Sequence, residues 1–464
     1  MTTIAPEIFK AYDIRGIVGK SLTADGVALI GKALGTEIKL RGGTHVAIGR
    51  DGRLSGPALS AALARGLQAT GINVIDIGVA ATPMVYFAAH HFNVGSAIMV
   101  TGSHNPPDYN GIKMVLQGET LALDAIQVLR QRIVTNDFSI ADGKKVSPGS
   151  YETRTIADAY VARIVGDAKL ARPMKIVMDC GNGSPGIIAE RLFTALGCEI
   201  VPLYCDVDGN FPNHHPDPSR PENLQDVIRA LKETDAELGI AFDGDGDRLG
   251  VVTKDGEIIF PDRQLMLFAA DVLSRVPGGE IIFDVKSSRN LFKWIRDHGG
   301  VPSLYKTGHA LIKLQMKKTG APLAGEMSGH IFFKERWYGF DDALYCGARL
   351  LEIVSKFADA NAPLKALPNA ISTPELNWQL VEGEPHRLIA AMEKTAKFEG
   401  ADEIITIDGL RVEYPDGFGL ARASNTTPVI VLRFEAETEA GLQRIKEDFR
   451  RELLKAKPGA DLPY

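Results

Sequence analysis

The feature that most constrains this chain is a repeat of kind rather than of letters. Three times a short apolar strand runs into a polar, glycine- or serine-bearing turn and then into an amphipathic helix. The strands are expected over 45–49, 175–178 and 280–285, followed by the turns Arg50-Asp51-Gly52-Arg53, Asp179-Cys180-Gly181-Asn182-Gly183-Ser184 and Lys286-Ser287-Ser288. Helices follow over 57–70, 187–196 and 290–298. Each block continues with a second strand (73–77, 199–204, 301–305), polar helical sequence, and a third strand (96–100, 238–242, 321–324). Apolar runs without alternation mark strands covered on both faces, hence a mostly parallel α/β sheet in each block. Each third strand opens into a polar loop, and ligands of such sheets bind beyond the carboxyl ends of the strands. Three equivalent loops can therefore converge on one cleft.

At about 150 residues per domain, 464 residues make three or four domains. Boundaries are expected in the polar stretch 141–150, near the turn Lys254-Asp255-Gly256-Glu257, and in the segment 358–370. They divide the chain into 1–150, 151–257, 258–368 and 369–464. Past about residue 370 the pattern changes to a strand over 411–414, a glycine-rich turn, a long strand over 429–437 and a charged helix over 439–454. That order reads as a small α+β domain with an antiparallel sheet.

Composition narrows the function. A net charge of −6, spread along the chain, argues against a nucleic-acid or polybasic membrane surface protein. The N-terminus lacks a basic start, and no apolar run reaches the roughly 18 residues of a spanning helix, so a soluble cytoplasmic protein is expected. Cys180, Cys198, Cys205 and Cys346 form no CxxC pair and read as reduced thiols.

The loop Thr101-Gly102-Ser103-His104-Asn105-Pro106-Pro107 places a serine at the mouth of a buried strand, on a turn the prolines stiffen. Such a hydroxyl suits a nucleophile or phosphoryl carrier, although for this loop taken alone a plain Ser-Asn-Pro turn is the favoured reading. Asp243-Gly244-Asp245-Gly246-Asp247-Arg248 is more telling, because three carboxylates at alternate positions repel unless a hard cation neutralises them. An EF-hand is excluded, since Arg248 and Lys254 stand where glycine and glutamate are required. Magnesium completed by a phosphoryl oxygen fits better. Gly325-Glu326-Met327-Ser328-Gly329-His330 offers donors and acceptors suited to sugar hydroxyls, and Arg422-Ala423-Ser424-Asn425-Thr426-Thr427-Pro428 offers an anion nest or a plain polar hairpin. Gly19-Lys20-Ser21 is no P-loop, because Ile14 stands at the required glycine, and the pairs His90/His91 and His214/His215 lack zinc spacing and read as solvated or turn positions.

Together these four loops resemble those of the α-D-phosphohexomutases, and within that family the bacterial phosphomannomutase/phosphoglucomutase group, over essentially the whole chain. The resemblance implies three topologically related α/β domains and a smaller C-terminal domain around a central cleft. It implies a phosphoserine at Ser103, with Asp243, Asp245 and Asp247 holding Mg2+ together with one oxygen of that phosphoryl group. Glu326 and Ser328 would meet sugar hydroxyls, and Arg422, Ser424, Asn425 and Thr426 the phosphate that is not reacting. Tyr12, Arg15, His104, Lys113, Arg248, Lys286, His309 and His330 fall at positions resembling cleft residues. Related enzymes acting on glucosamine phosphate carry glutamine where Met327 stands.

The implied activity is that of an isomerase exchanging hexose 1-phosphate for hexose 6-phosphate through a hexose 1,6-bisphosphate, on glucose or mannose. Its partners would be small sugar phosphates, with no nucleic acid or membrane and a monomer allowed. Phosphoserine, substrate phosphate and three aspartates load one cleft with negative charge, which asks for Arg15, Lys113, Arg248 and Arg422 to face it. Lys113, His104, His309 and His330 are the acid–base candidates, with no choice among them. A bisphosphate that must turn around is best held by a swinging domain, expected after residue 370. A phosphoglucosamine mutase, a metal-dependent sugar phosphatase and a non-catalytic sugar-phosphate sensor are the competing readings.

Overall fold

The structure, a computed structural model, describes residues 4–138 and 147–464. The boundary expected over 141–150 lies partly outside the described residues. In the first block strand His45–Arg50 runs parallel to Asn73–Val79 on one side and to Ala97–Val100 on the other. The second block repeats this with Met174–Asp179 between Cys198–Leu203 and Leu238–Phe242, and the third with Glu280–Asp284 between Val301–Tyr305 and Leu323–Gly325. A fourth strand then pairs antiparallel with the third in every block: Tyr109–Leu116, Leu249–Thr253 and Ile331–Phe333. The sheets are therefore mixed, and the three polar loops are the chain reversals between third and fourth strands. Strands Tyr151–Thr153 and Ile258–Ile259 extend the first and second sheets at their edges.

Third strands are buried along their whole length, which is why they lack polar alternation. One hydrophobic core runs through all three blocks, joining Tyr86 and Phe87 to Ile176 and Phe242 and on to Phe268, Phe283 and Phe333. Helix Ala343–Val354, buried on every face, lies within that core. Its Arg349 is 0% exposed, stacks 4.5 Å over Phe333 and pairs with Asp271 at 3.0 Å and Glu335 at 3.1 Å, the partners a buried cation requires. Among the described residues no helix is long and apolar enough to cross a membrane.

The last domain is an antiparallel sheet of Val429–Ala436 beside Gly417–Ala423, Leu410–Tyr414 and Glu403–Ile405, with helices Glu384–Thr395 and Glu439–Ala456 packed against it. The glycine-rich stretch expected as a turn is mostly strand. Its glycines serve packing: a Cβ on Gly419 would lie 2.3 Å from the Phe449 ring. The domain has its own core, around Trp378, Phe434 and Phe449. It meets the third block through a small apolar patch of Val285, Phe418 and Leu420 and through polar contacts, including Ser288 Oγ to Glu435 at 2.9 Å and Arg433 to Asp262 at 3.2 Å. Separate cores predict separable stability. Phe449→Ala is expected to cost about 3–5 kcal/mol and to split a lower-temperature transition from the main one in calorimetry; a single transition shifted as a whole would contradict this.

Candidate active site

The reversal loop of the first block carries Ser103 in the left-handed region at φ +50°, an uncommon conformation for a residue with a Cβ. Its amide donates to Thr101 Oγ1 at 2.8 Å, and its hydroxyl, 2% exposed, donates to Asp243 Oδ2 at 3.0 Å. The loops of the first two blocks thus meet, although 140 residues separate these partners. Asp243 turns its other oxygen toward its own loop, where Oδ1 accepts from the amides of Gly246, Asp247 and Arg248 at 2.9–3.2 Å.

Asp245 is held mostly by the first block: Oδ2 accepts from Thr82 Oγ1 at 2.6 Å and Lys113 Nζ at 2.7 Å, with Thr101 Oγ1 at 3.1 Å. Lys113, on strand Tyr109–Leu116, donates also to Asp247 Oδ2. All three aspartates are 0% exposed, and one oxygen of each lies within 4.8 Å of the others. Burial and its two neighbours push Asp243 well above the carboxylate range. Burial opposes ionisation of Asp245 and Asp247 too, but Lys113, with His330 and Arg248 beside Asp247, holds both below that range. The same carboxylates outweigh burial at Lys113 and raise it.

One oxygen of this cluster, Asp245 Oδ1, is buried without a hydrogen-bond partner, and Asp247 Oδ1 faces His330 Nε2 at 3.3 Å. Hard oxygen donors, crowded and incompletely satisfied, fit a small divalent cation held by Asp243, Asp245 and Asp247 beside the Ser103 hydroxyl.

These loops open onto one cleft of about 1300 Å³. Every other residue singled out from the sequence lines it: Tyr12, Arg15, Ser103, His104, Lys113, Arg248, Lys286, His309, Glu326, Ser328, His330, Arg422, Ser424, Asn425 and Thr426. The three aspartates lie beneath its floor. Nine Lys and Arg residues line the cleft against six Asp and Glu, a cationic lining over the three buried aspartates in a chain that is acidic as a whole.

On the third block Glu326 accepts from the Gly308 amide at 2.5 Å, and His330 sits 3.2 Å from Glu326 and 3.3 Å from Asp247. Against burial, Asp247 and Glu326 raise His330 to about 9. Burial, with Lys313 and Lys113 nearby, instead drives His309 well below the imidazole range; burial with Arg248 and Arg15 does the same to His104. Arg15 donates to the Gly102 carbonyl at 3.1 Å and to Asn105 Oδ1. From the last domain, Arg422 Nε donates to Asp408 at 3.0 Å, while Asn425 Nδ2 donates to Tyr12 OH, which itself donates to the Thr307 carbonyl at 2.8 Å. Lys286 Nζ bonds Glu375 at 2.6 Å.

Comparison with known proteins agrees with this architecture from end to end. Residues 6–139, 158–256 and 260–371 match alpha/beta/alpha domains I, II and III of the phosphoglucomutase/phosphomannomutase family, and residues 375–452 match its C-terminal domain. The chain belongs to the phosphoglucomutase/phosphomannomutase family. A phosphoglucomutase of Neisseria meningitidis is 60% identical over 451 residues, 97% of each chain. A phosphomannomutase/phosphoglucomutase of Pseudomonas aeruginosa is 55% identical over 463 residues, 100% of this chain and 98% of that one. The crystal structure of a phosphoglucomutase/phosphomannomutase family protein from Burkholderia thailandensis superposes with a TM-score of 0.94 at 61% identity, covering both chains completely.

Several residues of this family member escaped the sequence reading. Thr82 and Thr101 grip Asp245, Glu375 caps Lys286, Asp408 pairs with Arg422, and Asp217 and Ser219 line the cleft. His214, read as a solvated or turn position, lies in a bend, half-buried, with Asp179 Oδ2 2.9 Å from its Nε2. Only the proline-flanked acid Asp217 left a local signal. The aspartate cluster makes a direct prediction. After chelation, a divalent cation at a hundredfold excess over its Kd is expected to stabilise the protein by about 2.7 kcal/mol, seen as a raised Tm. Asp245→Asn is expected to lose most of that gain, and a Tm indifferent to cations would contradict the assignment.

Proposed function

We propose that the protein is an isomerase, a phosphohexomutase that interconverts the 1- and 6-phosphates of glucose and mannose through a phosphoserine at Ser103 and a hexose 1,6-bisphosphate. The observation that carries this reading is a single cleft with a hydroxyl set over a carboxylate cluster on one side and a separate basic, hydroxyl-rich turn, Arg422 to Thr426, on the other. Two anion sites facing one cleft suit a substrate with one phosphate reacting and one at rest. A phosphatase passing its phosphoryl group to water has no need of the second.

In this reading the Oγ–P bond of phospho-Ser103 breaks as the free sugar hydroxyl bonds to phosphorus; the sugar hydroxyl gives up its proton and Ser103 Oγ takes one up to become a hydroxyl again. The bisphosphate turns, and its other phosphate returns to Ser103. Magnesium held by Asp243, Asp245 and Asp247 would draw negative charge from the phosphoryl oxygens. Arg15, Lys113 and Arg248 add positive charge around the reacting group, a large part of what phosphoryl transfer asks of a protein. His104, neutral and 3.2 Å from Ser103 Oγ, and His309, neutral on the cleft wall, can take up and return protons, whereas Lys113 and His330 stay charged and stabilise anions. Glu326 and Ser328 bind the sugar, Lys286 and Tyr12 flank it, and Ser424, Asn425 and Thr426 with Arg422 hold the resting phosphate. The last domain, with its own core and a largely polar seam, swings as the lid that retains the bisphosphate while it reorients.

Intact mass is expected to show one phosphate on the wild type after exposure to hexose 1,6-bisphosphate and none on Ser103→Ala, whose mutase activity falls to background. Free phosphate in place of the isomer, or an active Ser103→Ala, would overturn the proposal. Arg422→Ala is expected to raise KM for hexose 1-phosphate roughly ten- to hundredfold, the worth of about 1.5–3 kcal/mol for a charged hydrogen bond. Small-angle scattering is expected to show the radius of gyration shrinking when bisphosphate binds, and an unchanged curve would contradict the lid.

A further inference from the structure

We propose that the buried pair Asp51–Arg53 is the positioning element that holds Ser103 in its reactive geometry; the inference rests on the phosphoryl-carrier reading above. Both residues lie in the turn after strand His45–Arg50, and neither lines the cleft. The Arg53 side chain is 0% exposed, and its guanidinium is spread over the backbone of the serine loop. Nη2 donates to the carbonyls of Ser103 at 2.8 Å and Asn105 at 2.5 Å, and Nη1 donates to those of Pro106 at 2.5 Å and Tyr109 at 2.9 Å. Nε donates to Asp51 Oδ2 at 3.1 Å. That same Asp51 oxygen accepts from Thr101 Oγ1 at 2.8 Å and from the Gly102 amide at 3.0 Å. Two side chains therefore gather the loop at six residues between Thr101 and Tyr109.

The arrangement answers a local problem. Ser103 sits at φ +50°, and a serine there needs surroundings that over-determine it. With the pair in place, the Ser103 carbonyl, buried in the reversal, finds a donor, and the half-buried or exposed carbonyls of Asn105, Pro106 and Tyr109 are tied to the same guanidinium. A Cβ on Gly102 would lie 2.3 Å from Arg53 Nε, so loop and guanidinium are in direct contact. A lysine offers three donors on one atom and cannot span four carbonyls, whereas the planar fork of arginine can. Arg53 also stacks 5.1 Å from Phe211 of the second block, a contact that belongs to packing rather than to the loop.

The test measures kcat, KM for hexose 1-phosphate and Tm for wild type, Arg53→Lys, Asp51→Asn and Phe211→Leu. A displacement of Ser103 by about 1 Å is expected to lower kcat roughly 10²-fold in both pair variants. KM is expected to stay within about twofold, because the groups that bind sugar and resting phosphate are untouched. Phosphorylation of Ser103 by hexose 1,6-bisphosphate should slow in proportion to kcat, and Phe211→Leu should match wild type. Unchanged kcat in Arg53→Lys and Asp51→Asn, a rise in KM in place of the fall in kcat, or failure of both variants to fold would overturn the proposal. A wild type that makes no hexose 6-phosphate overturns the functional reading and this one with it. An active wild type beside unaffected pair variants overturns the positioning role alone.

Discussion

Three carboxylates buried within 4.8 Å of one another are the constraint on which the rest of the molecule turns. Ionised carboxylates out of water are expensive unless paired, and the second block that carries them supplies three backbone amides to Asp243 and the charge of Arg248. Lys113 and two threonines arrive from the first block and His330 from the third. The blocks are thus held together twice, by a continuous apolar core and by a charge imbalance that no block can settle alone. The same imbalance leaves Asp245 Oδ1 unsatisfied, where a cation and a phosphoryl group would complete the balance.

The repeated topology makes this convergence possible. Each block reverses its chain at the same point, between a parallel third strand and an antiparallel fourth, so homologous loops emerge at equivalent sheet edges. One loop became a hydroxyl carrier, one an acidic cluster and one a set of sugar-sized donors and acceptors. The last domain departs from the repeat. Its core is separate, its seam with the third block is largely polar, and it contributes the basic, hydroxyl-rich turn Arg422 to Thr426 to the cleft lining.

Much of this was legible because the chemistry is local. Ser103, the three aspartates and Glu326 each sit in a short loop whose glycines and prolines announce a tight reversal after an apolar strand. Lys113, Lys286 and His309 emerged as cleft residues only through resemblance, since a charged residue in a strand, in a turn or at a helix start carries no mark of its destination. Thr82 was out of reach, because it touches Asp245 across 163 residues and reads in sequence as an ordinary helix start. The turn Arg50-Asp51-Gly52-Arg53 was visible, but only as the link of a βα unit. Strand Gly417–Ala423 was read as a turn because its glycines make room for Phe449, a reason found in packing and not in composition.

The central claim, that Ser103 lends a phosphoryl group to a sugar and takes one back, is tested most directly in a single turnover. Protein carrying radiolabelled phosphate on Ser103 is mixed with unlabelled hexose 1-phosphate and quenched at short times. The account predicts that label leaves the protein for hexose 1,6-bisphosphate and then appears in hexose 6-phosphate. Label released as inorganic phosphate, or retained on the protein while hexose 6-phosphate forms, would contradict it.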